Sequence, residues 1–462
     1  MSQVVIVGGG IAGLAAAQRL TAADIPCTVL ERDHRPGGKI VSQSVGGFLV
    51  EGGPDCFLSS KPGGMALARA LGIDGLLHGT DSAHRGTFVK RGGRLHPLPE
   101  GITGLVPSRL GPLLTTRLLT PAGRIRAGLE AFVRGRAGGG DESIAQFASR
   151  RFGAEAYRWV VEPLLSGVYA GDGSQLSLSA TFPQLARAER ECGGVLRSAW
   201  RHGGGGGGGG TSQGERSGFL SFPDGMEQLV RSTVARLPPS TLRLGVGVVS
   251  ISKGGDGFRI RCADGAVSGA DQVILATPAF VSAGLVEDLS PSLSIELSRV
   301  PFVSSATVTL AYRDAPAFRG TGYVCPRAEG GPVVAVTWAS NKYRGRAPAG
   351  AALVRVFLGR SGDEGWVDES DDVLIAEARE ELARVCGVEG EPVLCRVFRW
   401  PRGLPQYVIG HLERVERIAA QVRRIPGLHL AGASYWGVGI PDCIASGWAA
   451  ADAVLEALRI PA

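Results

Sequence analysis

No apolar run in this chain reaches the ~18 uncharged residues that a membrane-spanning helix needs. The longest, Val273 to Val286, is interrupted by Pro278, so no spanning segment is expected. Met1-Ser2-Gln3 places no basic residue ahead of the first apolar stretch, which is expected to be a strand and not a secretory leader. The eight cysteines (Cys27, Cys56, Cys192, Cys262, Cys325, Cys386, Cys395 and Cys443) form no C-x-x-C and have no histidine at ligand spacing. No metal site is therefore expected, and reduced thiols in a cytoplasmic protein are the plain reading. The net charge of +6 comes with no nucleic-acid-binding motif, so nucleic acid is not an expected partner. Also missing is any histidine or acid that the pattern marks as an obligatory base, and the catalytic residues are left unknown.

What is present begins at Val4. Val4-Val5-Ile6-Val7 is an apolar strand that runs into Gly8-Gly9-Gly10-Ile11-Ala12-Gly13, a G-x-G-x-x-G, and then into a helix of small residues. Gly8 permits the tight turn, Gly10 lets the backbone approach a pyrophosphate, and Gly13 lets helix and strand pack closely. The helix N-terminus then offers its free N–H groups to phosphate. A second strand, Cys27-Thr28-Val29-Leu30, ends at Glu31, eighteen residues past Gly13, where an acid accepts ribose hydroxyls. The run Glu31-Arg32-Asp33-His34-Arg35-Pro36-Gly37-Gly38-Lys39 adds a glycine pair and several cations beside the first phosphate site. That suits an extended dinucleotide, FAD in preference to a nicotinamide.

At 462 residues the chain exceeds what a single core supports, so two or three lobes are expected. Gly203 to Gly210 is an unbroken glycine tract with no preceding strand, hence a linker. Between Gly101 and Gly140, Arg109, Arg117, Arg124, Arg126, Arg134 and Arg136 face one acid, Glu130, among Leu105, Leu110, Leu113, Leu114, Leu118 and Leu119. This reads equally as a surface for anionic lipid or substrate and as a solvated helical face. Val248–Ile251 and Phe258–Cys262 read as antiparallel strands, and Asp271 to Ala276 as a third strand returning the chain to the cofactor domain. Leu428 to Gly432 is a short strand, Gly437 to Pro441 a turn, and Asp442 to Leu458 an amphipathic helix aimed at the cofactor.

The opening motif resembles the flavin-containing amine oxidase superfamily, with Lys39 where its pattern ends in arginine. Further along, Val161-Glu162-Pro163-Leu164-Leu165-Ser166-Gly167-Val168-Tyr169-Ala170-Gly171-Asp172, Ala180-Thr181-Phe182-Pro183, Leu404-Pro405-Gln406-Tyr407 and Gly437-Val438-Gly439-Ile440-Pro441-Asp442-Cys443-Ile444 resemble the oxygen-dependent porphyrinogen oxidases of haem biosynthesis. The resemblance covers essentially the whole chain and leans toward the Gram-positive-type coproporphyrinogen III oxidases, with protoporphyrinogen IX as the alternative substrate. An amine oxidase or a carotenoid-type desaturase is a more remote alternative. It implies an α/β fold with α+β insertions: a Rossmann-type FAD-binding domain, a mixed-sheet substrate domain and a helical domain. The cofactor domain would comprise 1–75, 217–290 and 409–462; 76–216 would be a helical, substrate-binding and membrane-facing insertion that includes the glycine-rich loop 203–210, and 291–408 the substrate-binding domain.

It also implies non-covalent FAD held by Gly8, Gly9, Gly10, Ile11, Ala12, Gly13, Glu31, Arg32, Gly38, Lys39, Gly53, Pro54, Asp55, Cys56, Val248, Trp400, Val438, Gly439 and Ile440. Gly167, Gly322, Val324, Phe357 and Leu404 would line the macrocycle pocket, with Thr87 and Arg91 near substrate carboxylates. Thr87 stands where protoporphyrinogen enzymes carry arginine, leaving Arg85, Lys90, Arg91 and Arg94 as alternative cations. The partners implied are a porphyrinogen and O2. Peripheral contact with the inner face of the cell membrane and a homodimer remain open.

Overall fold

Val4–Val7 is apolar and buried at every position, the signature of a strand covered on both faces. In this computed structural model it is the middle strand of a five-stranded parallel sheet, ordered 242–243, 27–30, 4–7, 272–275, 428–430. The structure describes every residue except 1–2, 101, 104–105, 108–109, 137–139, 202–217, 256, 315–316 and 460–462, with backbone alone at 102–103, 106–107, 110 and 459. The glycine tract 203–210, Leu105 and Arg109 lie outside the described residues.

Helix Ile11–Thr21 packs on this sheet, and helix Ile440–Arg459 packs on that helix. Small residues set the spacing. A Cβ on Gly13 would stand 2.0 Å from Gly8 O, and one on Gly447 2.1 Å from Ala12 O. Only glycine permits both approaches.

Val248–Gly254, Gly257–Cys262 and Val267–Ala270 form a separate antiparallel meander. The sequence reading had only two strands there, followed by one at 271–276. The difference follows from burial: Val273, Ile274 and Leu275 are fully covered and join the parallel sheet, whereas Val267–Ala270 is a half-exposed edge.

The second large sheet has seven strands, ordered 394–405, 302–312, 352–358, 333–338, 322–324, 88–91, 94–97. Every pairing in it is antiparallel except 322–324 with 88–91. Helix Asp371–Cys386 covers one face. The hairpin 88–97 corrects the expectation of a helical segment from 76 to 216. Gly92 and Gly93 take φ of +60° and +72°, the two positive values of a primed two-residue turn, so the chain reverses as a hairpin.

Short strands also stand at His78–Gly79, Ile102–Thr103 and Val106–Pro107, and the described helices of that segment include Pro121–Gly128, Ile144–Phe152, Glu162–Tyr169 and Pro183–Cys192. Glu130 and Arg151, both fully buried, tie these helices together. The Glu130 carboxylate accepts from Arg151 Nε at 2.6 Å, Val195 N at 2.9 Å and Leu196 N at 3.0 Å. Glu130 is thus a structural acid rather than one charge against a basic surface. Arg126 is also spoken for, donating to the carbonyls of Arg150 and Arg151. Leu113, Leu118 and Leu119 are core; Leu114, Ile125, Leu129 and Phe132 are exposed.

Candidate functional site

At the opening turn Gly8 has φ of +107°, and a Cβ there would meet Ala276 O at 3.0 Å. Gly9 N donates to Glu31 Oε2 at 2.6 Å, and Asp33 N to Glu31 Oε1 at 2.9 Å. Each carboxylate oxygen therefore keeps lone-pair capacity for a hydroxyl donor. Gly10 differs from its neighbours: a Cβ on it would meet nothing within 4 Å. Open space thus stands over the glycine at which the sequence pattern expects a pyrophosphate to approach. Gly37 N donates to Gly9 O at 2.8 Å, so the Pro36-Gly37-Gly38-Lys39 segment wraps the same turn. Ile11 and Ala12 open the helix and are buried. Val246 N donates to Glu31 O at 2.8 Å, which brings the start of the meander, Val248, toward Glu31; Arg32 projects into solvent.

Lys39 is held inside by a hydrogen bond from its ammonium to Gly403 O, and burial pushes its pKa down. Among the described residues no carboxylate pairs with it. A half-buried ammonium without a counter-charge is unfavourable. A dinucleotide phosphate supplies that charge, so the open space at Gly10, the free capacity of Glu31 and the unpaired Lys39 together fit FAD. When bound, FAD supplies the acceptor for a pair of electrons.

The loop after strand Phe48–Glu51 crosses close to this point. A Cβ on Gly53 would lie 1.7 Å from Lys39 O. The loop is fixed from the seven-stranded sheet: Arg355 donates to Gly52 O at 3.0 Å and Gly53 O at 2.6 Å, and Trp400 Nε1 to Gly52 O at 2.9 Å. Pro54 follows, and Asp55 pairs with Lys342 at 2.8 Å. Burial pushes the Asp55 carboxyl up, but Lys342 and Arg355 outweigh it and hold the group well below the usual carboxylate range. Burial and the Asp55 charge push the Cys56 thiol up to about 12, so it is an inert thiol.

Among the residues expected at the macrocycle, Val324 belongs to one apolar cluster against which Phe357 and the turn residue Val438 pack. Gly167 faces Val324, with 3.4 Å between its would-be Cβ and Val324 Cγ1. The turn expected at the cofactor and three expected pocket residues thus border one apolar cluster. Leu404 lies apart from that cluster, opposite Val303 in the sheet. Gly322 has a reason internal to the sheet: a Cβ would stand 2.1 Å from Val336 O.

The expected cations divide. Lys90 is withdrawn into a buried ion pair with Glu381 at 2.8 Å, on the helix-covered side of the sheet, and cannot reach a ligand. Arg91 stacks over Trp159 at 4.5 Å and donates to Leu118 O. Thr87 Oγ1 lies 3.4 Å from Thr321 Oγ1, while Arg94 is exposed.

The sequence profile described as flavin containing amine oxidoreductase matches residues 11–455. The chain belongs to that family. Within it, the chain is 34% identical to coproporphyrinogen III oxidase of Bacillus subtilis (strain 168), with 98% of each chain covered. It is 29% identical to protoporphyrinogen oxidase 1, chloroplastic, of Arabidopsis thaliana, covering 95% of this chain and 85% of that one. A solved structure from Exiguobacterium sp. 255-15, provisionally named a protoporphyrinogen oxidase, superposes with TM-score 0.88 at 32% identity over 98% of this chain and 99% of that one. Cyclohexylamine oxidase from Brevibacterium oxydans IH-35A, at TM-score 0.71 and 16% identity over 99% and 100% of the chains, shares the fold.

For a member of this flavin family, the residues that sequence reasoning passed over are Lys342, Arg355 and the phenol of Tyr407. Arg355 had a signal, a lone cation inside the apolar run Ala352–Leu358. Tyr407 had none of its own, because its partners come from a segment more than twenty residues on.

Proposed function

We propose that this chain oxidises a porphyrinogen to the porphyrin, with FAD as electron acceptor and O2 as final oxidant, and that coproporphyrinogen III is the preferred substrate. The observation that carries the reading is that Val438, in the turn expected at the cofactor, packs on the same apolar cluster as Phe357, the cluster that contains Val324 and is faced by Gly167. Resemblance to coproporphyrinogen III oxidases along nearly the whole chain supports it.

Removing six hydrogens from a porphyrinogen takes three two-electron steps. Each consumes one O2 and releases one H2O2, so the balance is porphyrinogen plus three O2 to porphyrin plus three H2O2. An apolar wall suits the largely apolar faces of the tetrapyrrole macrocycle, and cations at the rim suit its carboxylates. The experiment is a side-by-side fluorescence assay of porphyrin formation from coproporphyrinogen III and protoporphyrinogen IX, with peroxide counted. Three peroxides per porphyrin and a higher kcat/KM for coproporphyrinogen are expected. Equal or reversed efficiency would hand the reading to protoporphyrinogen, and no porphyrin from either would remove it.

Peripheral membrane contact is proposed on a separate observation. Ile125 and Phe132 are 64% and 77% exposed, with Leu114 and Leu129 also open to solvent and Arg117, Arg134 and Arg136 on exposed positions of the same segment. Apolar tips flanked by cations suit an anionic bilayer surface. No described helix is long and apolar enough to cross a membrane. Co-sedimentation with anionic vesicles, weakened by salt and absent with neutral ones, is the expected result.

A further inference from the structure

The strand 394–405 does not end its work at Pro405. The six residues that follow run between two parts of the site and are bonded to both. Toward the helical lobe, Gln406 Nε2 donates to Tyr169 O at 3.0 Å, and Ser177 N donates to Tyr407 O at 2.8 Å. Tyr169 and its neighbour Ala170 close the helix that carries Gly167.

Toward the cofactor turn, the buried phenol of Tyr407 donates to Ala433 O at 2.7 Å and accepts from Gly437 N at 2.7 Å. One hydroxyl thus uses a donor and an acceptor site to span the loop 433–437. His411 lies flat on the Tyr407 ring, with centroids 3.9 Å apart and planes 14° apart. Its Nε2–H donates to Tyr435 O at 3.0 Å. Residues 433, 435 and 437, three alternate positions of the loop, are therefore all fastened by one stacked pair. The loop leads directly into Val438, Gly439 and Ile440 and the N-terminus of the last helix. Gly437 has φ of +146° and a would-be Cβ 2.4 Å from Asp442 Cγ, so the turn is tight.

We infer that Tyr407, braced by His411, is the positioning residue that aims the Val438–Ile440 turn and its helix N-terminus at the flavin, linking it to the helix that carries Gly167. A helix N-terminus favours negative charge, which a reduced flavin carries, so the aim of this turn sets the reduction potential as well as the affinity. Both carbonyl and amide at 433 and 437 lose their partner when the hydroxyl goes, and the loop is then free to shift.

The inference rests on the reading of Val438–Ile440 as a cofactor contact. The test uses the purified holoenzyme and its Tyr407→Phe variant, read by FAD titration, redox titration and thermal melting. Tyr323→Phe is the control, since that phenol is equally buried but donates to Glu381 on the other side of the seven-stranded sheet. Tyr407→Phe is expected to weaken FAD binding about tenfold. A tenfold loss confined to the reduced form lowers a two-electron midpoint potential by about 30 mV. Tyr323→Phe should lower the melting temperature without moving either. If Tyr407→Phe does not fold, His411→Phe keeps the stacked ring, drops the bond to Tyr435 O, and should move the potential the same way by less. Potential and affinity unchanged in a folded Tyr407 or His411 variant overturn the proposal, whatever the melting temperature does. A wild-type protein that binds no FAD would instead overturn the underlying reading.

Discussion

The two large sheets place function in opposite ways. Around the parallel sheet, Gly8, Gly10, Gly13, Glu31 and Lys39 lie within a single short stretch, and each is placed by backbone shape or by one or two local or main-chain hydrogen bonds. In the seven-stranded sheet, Phe88–Arg91, Gly322–Val324, Ala352–Leu358 and Leu394–Pro405 come from four distant parts of the chain. A site built from local backbone constraints leaves its spacing in the sequence. A site assembled by long-range pairing does not, because strand register decides which side chain faces which surface, and a shift of one residue reverses it.

Breaking the local site should have the largest effect. A side chain at Gly10 meets no protein atom within 4 Å, so Gly10→Val leaves the fold unstrained while filling the space that a pyrophosphate requires. The expected product is a folded, colourless protein with no stoichiometric FAD and no turnover, checked by absorbance and thermal melting. Retention of FAD would show that the open space at Gly10 is not the phosphate site. Gly13→Val provides the contrast: its Cβ would lie 2.0 Å from Gly8 O, so the fold itself should fail.

The next largest effect sharpens the account of the distributed sheet. Lys90 joins Glu381 across 291 positions of sequence, with side chains 4% and 1% exposed. Breaking a buried pair by removing one partner costs about 3–5 kcal/mol when the other charge is left uncompensated; here Arg384 still meets Glu381, so the loss falls below that range. Lys90→Met should therefore lower the denaturant midpoint clearly while leaving the KM for porphyrinogen within about twofold. A selective rise in KM at normal stability would return Lys90 to the carboxylate site.

A smaller, pH-dependent effect belongs to the junction of the two sheets. Burial pushes His411 down to about 4 from its ordinary 6.5, with the Tyr435 carbonyl and Glu413 opposing and Arg414 assisting. The folded state then binds the proton less readily than the unfolded one, so stability rises with pH between those two values. It is present in full above about 6.5 and lost as pH falls toward 4, a swing of up to about 3 kcal/mol. His411→Gln should flatten the stability-against-pH curve across that window. An unchanged slope would mean that other groups carry it.

How much was legible follows the same division. The Rossmann strand-turn-helix, Glu31 and the terminal helix were readable because glycine spacing and a fully apolar strand each have one physical meaning. The hairpin 88–97 was missed although Gly92-Gly93 is a turn signal, since cations at Lys90, Arg91 and Arg94 drew attention as ligands. Lys90 shows why that fails: sequence displays the charge but not the acid that meets it 291 positions later. Arg355 left the trace of a lone cation in an apolar strand, but its role and that of Tyr407 were not legible, as their partners are backbone atoms of other segments.

The smallest expected effect concerns substrate choice at the edge of the seven-stranded sheet. Thr87 precedes the first strand of the hairpin, receives Leu98 N on its carbonyl at 2.9 Å, and presents its hydroxyl to Thr321. Coproporphyrinogen carries four propionates spread around the ring, and protoporphyrinogen two on adjacent pyrroles. Several dispersed cations serve the first, whereas one well-placed fork serves the second. With Lys90 withdrawn, the dispersed set near this edge shrinks, and Arg91 within it is partly engaged with Leu118 O, Trp159 and Glu155. A charge-assisted hydrogen bond to a carboxylate is worth roughly 1.5–3 kcal/mol, a shift of about one to two orders of magnitude. Because Thr87 is half-buried, an arginine there must displace the Thr321 contact, which places the outcome at the lower end. Thr87→Arg should thus move the ratio of kcat/KM toward protoporphyrinogen by about tenfold, mainly through KM. An unchanged ratio with both substrates turned over would mean that Thr87 does not face the propionates, and that preference is set elsewhere on the pocket wall.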